Sequence, residues 1–530
     1  MNGGSITRAW SWLGQRRRLS LVLVGLLGFC LAAAPSLVRL PEPRVHDEFS
    51  YVLAADTFAQ GRAANPPHGL WEHFESFHIL QQPTYASKYP PAQGLVLMLG
   101  QRLGGHPIVG VWLVHGLAAA AFCWMLQGWV PARWALVGGI LLALHSRIQF
   151  AWGYSYWGGA VALLGAALMW GAYARLVREP RWRDGVWLAL GLLLLANSRP
   201  FEGLVASVPV AAALGVWLAR APAPRRRELL VRAAAPCGLL LAAGAVAMGW
   251  YNQQVTGHPL RMPYQVHEAA YSVTPMFLWQ PPRPEPVYRH AELREFWLGW
   301  AMEKYHRQRS LSDSWRLKWQ VPGFFVTPAL ALSLLALPCV VRRQRTGLLL
   351  GALVLSLAAS LTVPACHPHY LAPVAPLLLW LVVQGLREMR TWRLGQQLRG
   401  AALVAMVLVA QCLAYVQVYA VHLRHAPSHW AVSRAALVRR LDEMPGRHVV
   451  LVRYGAAHNV HAEWVYNAAD IDAAKVVWAR DLGAERNERL ADYFRDRRLW
   501  YLDADAQPPQ LTVWRPAPAE GLLTRAATPE

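Results

Sequence analysis

Ser20-Leu21-Val22-Leu23-Val24-Gly25-Leu26-Leu27-Gly28-Phe29-Cys30-Leu31-Ala32-Ala33-Ala34-Pro35-Ser36-Leu37-Val38 contains no charged side chain. About nineteen residues at a helical rise of about 1.5 Å reach close to 30 Å, the depth of a bilayer core. Arg16-Arg17-Arg18 stands before the run, and Arg44-Val45-His46-Asp47-Glu48-Phe49-Ser50-Tyr51 follows it. Basic residues and an apolar run also begin a signal peptide, but no small-x-small cleavage site stands before Pro41. The run therefore reads as an uncleaved anchor helix. Its basic flank belongs on the cytoplasmic side, which puts Asp47-Glu48 just outside.

The pattern repeats along the chain. Apolar blocks fall at about 107–126, 132–146, 157–176, 185–198, 200–218, 233–251, 322–341, 346–364, 370–386 and 400–421, which with the first gives about eleven spans by length. The 94–104 stretch is apolar but short, suited to a re-entrant or interfacial piece. The chain is 55% hydrophobic and 16% charged, against roughly 25% charged for ordinary soluble chains. That excludes global disorder and a soluble nucleic-acid binder. The net charge of +21 belongs to topology instead. Arg16 to Arg18, Arg175 to Arg183, Arg225 to Arg227, Arg342 to Arg345 and Arg387 to Arg399 fall in short loops at every second crossing, as cytoplasmic loops do. Cys30, Cys123, Cys237, Cys339, Cys366 and Cys412 each lie in or beside an apolar block, so no disulfide framework is expected.

The expected fold is an all-α polytopic membrane bundle carrying a small C-terminal soluble α/β domain. Residues 1–421 make the transmembrane domain, with outer loops 39–90 and 252–321, and residues 422–530 make the tail. Within the loops, His68 to Leu80 and Arg289 to Arg309 have aromatic residues at helical spacing and read as amphipathic helices. In the tail, 448–454, 475–479, 499–502 and 511–514 read as strands and 485–497 as a helix. An odd number of crossings places the tail and the outer loops on the side opposite the N-terminus.

Chemistry concentrates on that outer side. Tyr51, Ala54, Ala55 and Phe58 follow Asp47-Glu48 at helical spacing, so the pair stands at a helix N-terminus. A carboxylate there suits proton abstraction from an acceptor or, with its neighbour, a divalent cation such as Mg or Mn. It equally suits a solvated pair flanking a helix. Lys88, in Ser87-Lys88-Tyr89-Pro90-Pro91, reads either as a phosphate contact or as an interfacial lysine anchoring the next helix. Arg199-Pro200-Phe201-Glu202 places two charges among apolar residues, as a structural Arg199–Glu202 pair or as a phosphate contact by Arg199. His258, His267-Glu268, His367 and His369 could ligate a metal, but no CxxC or HExxH spacing accompanies them, and interfacial hydrogen bonding is the plainer reading. The tail carries no P-loop, dinucleotide fingerprint or GxSxG.

In this order, Asp47-Glu48 with Tyr51-Val52-Leu53-Ala54-Ala55, then Lys88-Tyr89-Pro90-Pro91, then Tyr251-Asn252, Thr256-Gly257-His258-Pro259-Leu260 and Pro263-Tyr264, then His369-Tyr370-Leu371-Ala372-Pro373, the chain resembles the bacterial GT-C glycosyltransferases of the protein O-mannosyltransferase and lipid A aminoarabinose-transferase type. The resemblance covers about residues 20–421. It implies inverting transfer of a sugar from a polyprenyl-phosphate donor, at the periplasmic face of a bacterial inner membrane, to a glycan, lipid or protein acceptor. Asp47 would be the general base, with Glu48 supporting it or holding a cation. Lys88, Arg199 and His369 would meet the donor phosphate; His369 stands where the family often has Arg. Tyr89, His258, Tyr264 and Tyr370 would line the substrate, and no cofactor is firmly implied. Rival readings are a transporter or flippase of lipid-linked glycans, which would place ionisable residues deep in broken helices, and a non-catalytic scaffold of the same fold.

Overall fold

The computed structural model describes residues 12–343, 346–393, 399–425 and 429–515. The very N-terminus, parts of the basic loops near 344 and 394–398, and the last residues of the tail lie outside these.

Among the described residues, six helices are long and apolar enough to cross a membrane: Arg17–Val38, Ile108–Leu126, Gly159–Leu176, Pro200–Arg220, Ala223–Thr256 and Arg399–Arg424. The chain is a multi-pass helical membrane protein. A seventh span results only if Leu311–Phe324 and Pro328–Val341, which meet at 96°, are counted as one. Six of the eleven apolar blocks expected to span are such helices, and two of the remaining five are interrupted for local reasons. The 132–146 block stops at Ala143, because His145 begins a new helix by accepting a hydrogen bond from Ile148 N. The 322–341 block is broken at Pro328, which cannot donate to a continuing ladder. Trp182–Ala196, Gly347–Ser360 and Ala375–Met389 are helical but short.

Small residues let the helices close. A Cβ on Gly28 would lie 2.9 Å from the Ala119 Cβ, so Arg17–Val38 and Ile108–Leu126 pack nearly backbone to backbone. Between Pro91–Gly104 and Ile108–Leu126 the approach is tighter still, since a Cβ on Gly110 would lie 1.9 Å from the Val96 carbonyl oxygen.

The outer segments form one layer over the bundle. His46–Ala59 is a helix, and Gly61 takes a left-handed φ of 75° to end it. The 68–80 stretch is not the expected amphipathic helix. It holds a single 3-10 turn at Trp71–Phe74 and the short strand Ile79–Leu80, paired with Ala86–Ser87. Its aromatics are buried in another way: Phe74 joins a core with tail residues Val449 and Val477, and Phe77 joins Phe296 and Trp297. Residues 291–306 are helical, with a π-turn over Glu295–Ala301.

In the tail, four strands form one sheet in the order Val476–Arg480, Arg447–Arg453, Arg497–Asp503, Gln510–Val513. The first three are parallel and the last is antiparallel to its neighbour. The helix before the third strand ends at Tyr493, because Arg497 already belongs to the strand. One sheet face shares its core with Phe49, Leu53, Phe74, Ile79 and Tyr85 of the first outer loop. Polar ties reinforce it. Arg480 donates to Glu292 at 3.0 Å and to the Glu75 carbonyl at 2.7 Å, and it pairs with Glu463. Glu75 in turn accepts from Tyr271 at 2.7 Å and pairs with His290 at 3.0 Å. The tail and both outer loops are therefore joined through buried charge.

Candidate functional site

The site is built on the first turn of His46–Ala59. Val45 is extended and the chain turns into the helix at His46. Asp47 and Glu48 occupy this turn, where backbone dipoles favour negative charge, but they face different ways. Glu48 is buried and accepts three backbone hydrogen bonds, from Arg44 N at 2.9 Å, Val45 N at 3.3 Å and Tyr156 N at 2.9 Å. Burial pushes its carboxyl above the usual range, and these amides work against that push. Glu48 thus closes its own helix and pins the 152–157 turn to it.

Asp47 is half-buried and accepts a hydrogen bond from the Tyr89 hydroxyl at Oδ1. Among the described residues its Oδ2 accepts none. Burial pushes this carboxyl up, but the Tyr89 bond and the charges around it, Lys88 among them, hold it below the usual range. It is therefore ionised at neutral pH, with one oxygen fixed and one open.

Lys88 reaches the site because of His78. That residue holds a left-handed φ of 62°, uncommon for a side chain with a Cβ. Its carbonyl is over-determined there, accepting from Ser50 Oγ at 2.7 Å and from Lys88 N at 3.2 Å. The Lys88 ammonium then lies 5.4 Å from the Tyr89 ring centre, 5.3 Å from Tyr264 and 5.6 Å from Trp297. Glu268 Oε1 is 3.6 Å away. Burial lowers the lysine's pKa, while Glu268 and Asp47 act to raise it. The aromatic faces and the carboxylate offset part of the desolvation.

Arg199 stands at the start of Pro200–Arg220, its guanidinium 4.7 Å from the Tyr370 ring centre. Among the described residues no carboxylate lies within 4.0 Å of it, so the Arg199–Glu202 ion pair is not formed. It acts electrostatically on Tyr51, Glu202, Tyr370, Tyr89 and His369. His369 is buried beside Trp157, ring centres 4.7 Å apart, and feels both Arg199 and Asp47. Burial keeps its imidazole neutral, well below the usual range. Beside Tyr370 a small crevice lies between Pro200–Arg220 and Gly347–Ser360, lined by Phe201, Glu202, Val205, Ala359 and Leu371.

Asp47, Lys88, Tyr89, Arg199, Tyr264, His369 and Tyr370 are thus brought together. Glu48 is adjacent but engaged with amides. His258 is not brought in: it is exposed, and its Nδ1 accepts from Leu260 N at 3.2 Å to close a turn. Sequence reasoning missed the roles of Tyr51, His78, Arg283 and Trp297, and read Glu268 as an interfacial hydrogen-bonding residue or a metal ligand, not as the partner of Lys88. Tyr51 was findable, four residues after Asp47 on one helix face and stacked on Tyr89 at 4.6 Å. His78 and Trp297 had no local signal. The donors do not suit a divalent cation. Glu48 is turned to amides, Glu268 is shared by Lys88 and Arg283, and among the described residues no three His, Cys, Asp or Glu gather.

No family model matches the chain, and no curated protein matches it. Among solved structures the chain is similar to ArnT from Cupriavidus metallidurans in the apo state, at 12% identity and a TM-score of 0.49, over 94% of this chain and 93% of that one. It is also similar to the same ArnT bound to undecaprenyl phosphate, at 12% identity and a TM-score of 0.47, over 91% and 92%. The archaeal oligosaccharyltransferase AglB from Archaeoglobus fulgidus, in complex with an inhibitory peptide and a dolichol-phosphate, is similar at 12% identity and a TM-score of 0.41, over 93% of this chain and 70% of that one. At these values the likenesses carry no argument about what this chain binds.

Proposed function

We propose that the protein is a GT-C-type glycosyltransferase that moves a sugar from a polyprenyl-phosphate donor to an acceptor on the outer face of the membrane. The observation that carries this reading is the convergence of Asp47, Lys88 and Arg199 from three distant stretches, with Arg199 resting on Tyr370, which lines a small crevice beside them. The apolar side chains Phe201, Val205 and Leu371 beside the site suit contact with an isoprenoid chain in the bilayer. Lys88 and Arg199 suit a phosphate.

The residues then divide the reaction. The acceptor O–H or N–H gives its proton to the open Oδ2 of Asp47 as the acceptor atom bonds to the anomeric carbon. The bond from that carbon to the phosphate oxygen breaks, and the electron pair leaves with the phosphate. Lys88 and Arg199 stabilise the charge that develops there. Tyr89 fixes the Asp47 carboxylate, and neutral His369 offers a hydrogen bond to donor or phosphate. Glu48 supports the helix turn that carries the base. About eleven crossings, with the site and tail periplasmic in a bacterial inner membrane, fit the placement of the basic loops.

The test is transfer from a panel of radiolabelled polyprenyl-phosphate sugars in membranes holding wild type or Asp47→Asn protein at matched expression. Transfer by wild type that is lost in the variant is expected. Equal transfer by both would remove Asp47 from the reaction. Movement of the labelled lipid across the bilayer, with no sugar transferred, would make the protein a transporter.

A further inference from the structure

A second group of side chains gathers beside His46 and His369, and the donor does not use it. The Lys304 ammonium stands 3.7 Å from the centre of the Trp300 ring. His461 meets the same indole edge-on at 4.9 Å. His461 comes from the tail, and its ring stacks at 5.9 Å on His46, the residue before Asp47. His367 closes the far side, with its ring 5.6 Å from His369, and it feels both Lys304 and Asp47. Three separate stretches of chain thus meet beside His46 and His369, two residues that act on the Asp47 carboxylate.

This wall has no internal anion. Among the described residues no carboxylate lies within 4.0 Å of Lys304, and the adjacent Glu303 is paired with Arg307. No acid acts on Lys304 or on His461, and Asp47 is the acid that acts on His367. Among the described residues the rings of His367 and His461 make no hydrogen bond. Two buried imidazole nitrogens beside them, His46 Nε2 and His369 Nδ1, are also without partners. A lysine stem resting on a tryptophan for packing alone would account for Lys304. It would not account for the buried His46 Nε2 and His369 Nδ1 left without partners beside His461 and His367, since buried polar groups are normally satisfied.

A compact cation, several N–H donors and a flat indole at one mouth match one kind of ligand. The ammonium meets a point anion, the imidazoles meet oxygens, and the indole offers a face to the apolar side of a sugar ring. We infer that Trp300, Lys304, His367 and His461 form the acceptor subsite, and that the acceptor is a sugar bearing a phosphate or carboxylate. The tail contributes directly to acceptor choice through His461. Only the word acceptor rests on the transferase reading above; the anionic-sugar subsite itself does not.

The test is equilibrium binding to the full-length protein in nanodiscs, using radiolabelled octyl glucoside 6-phosphate, octyl glucoside and glucose 6-phosphate. The phosphorylated glycolipid is expected to bind about tenfold or more tighter than the neutral one, the effect of one charge-assisted contact. Lys304→Met should erase that preference, Lys304→Arg should restore most of it, and His461→Gln should weaken it. Arg316→Met, an exposed cation on the neighbouring helix Leu311–Lys318, should leave it unchanged. Binding of glucose 6-phosphate equal to that of the glycolipid supports a soluble or chain-end acceptor sugar; binding of the glycolipid alone supports a lipid-borne one. Equal binding of charged and neutral probes, or a preference that survives Lys304→Met in monodisperse protein, overturns the inference. A peptide that competes better than either sugar also overturns it. Anionic binding without sugar transfer from any polyprenyl-phosphate donor would overturn the transferase reading and leave this subsite standing.

Discussion

Lys88 and Glu268 face each other at 3.6 Å in a buried pocket, and Arg283 holds the second oxygen of the same carboxylate at 3.3 Å. Glu268 therefore does two things. It keeps a buried ammonium charged, and it ties that ammonium to the 272–290 segment. In the proposed reaction a donor phosphate arrives at a lysine already balanced by a carboxylate.

A pH dependence follows. Burial lowers the Lys88 pKa and Glu268 works against that. The lysine is charged below its own pKa and neutral above it, so donor binding that needs the charge fades as pH rises. Glu268→Gln removes a raising charge, and the alkaline limb should move to lower pH. Donor Kd across the alkaline range checks this, and an unmoved limb would show that Glu268 does not set the charge of Lys88.

Glu48 separates structure from chemistry. Its carboxylate accepts from three backbone amides, one of them fully buried, so Glu48→Ala should destabilise the protein by about 1.5–3 kcal/mol, the range for hydrogen bonds to a charged group. Glu48→Gln keeps an acceptor oxygen and should lose less. Thermal denaturation in detergent reads both. Transfer per folded molecule of the Gln variant should stay within a few-fold of wild type; a collapse at full stability would make Glu48 a participant.

The Arg199 guanidinium rests on the Tyr370 ring. Tyr370→Leu should weaken donor binding about two- to thirtyfold, the equivalent of about 0.5–2 kcal/mol of cation–π attraction. Arg199→Lys should weaken it too, because an ammonium cannot reproduce a planar two-pronged contact with phosphate. Donor KM should rise in both. A fall in kcat alone would place Arg199 outside donor binding.

Arg480 joins the tail to both outer loops. Arg480→Met leaves Glu463 buried without its cation, a loss of about 3–5 kcal/mol for a broken buried pair. Hydrogen exchange should accelerate in 447–503 and in 71–80, while the membrane helices stay protected. Unchanged exchange would mean that the apolar core shared by Phe49, Phe74, Val449 and Val477 holds the layers together by itself.

Several features of the fold are legible in the sequence. The charge-free run 20–38 is a helix, and so is His46–Ala59, because hydropathy and helical spacing are properties of neighbouring residues. The tail strands lie within a few residues of the positions that alternation suggests. Other features are not legible there. The 68–80 aromatics have helical spacing, yet each is claimed by a different partner: Phe74 by the tail and Phe77 by the 291–306 helix. A window of apolar residues cannot reveal a helix broken at His145 or bent at Pro328, so apolar blocks and uninterrupted long helices do not coincide.

The same division holds at the candidate site. By itself the sequence determined that this chain lives in a membrane and that Asp47, Lys88 and Arg199 stand outside long apolar spans, since burial of apolar surface and the avoidance of buried charge act on every local segment alike. Only the tertiary structure decided that Asp47 keeps an open oxygen while Glu48 is spent on amides, that Lys88 is balanced by Glu268, and that His258 is left outside. Those outcomes depend on where residues far apart in the chain come to rest, which a left-handed His78, a Gly110 contact and a tail seated on the first loop set together.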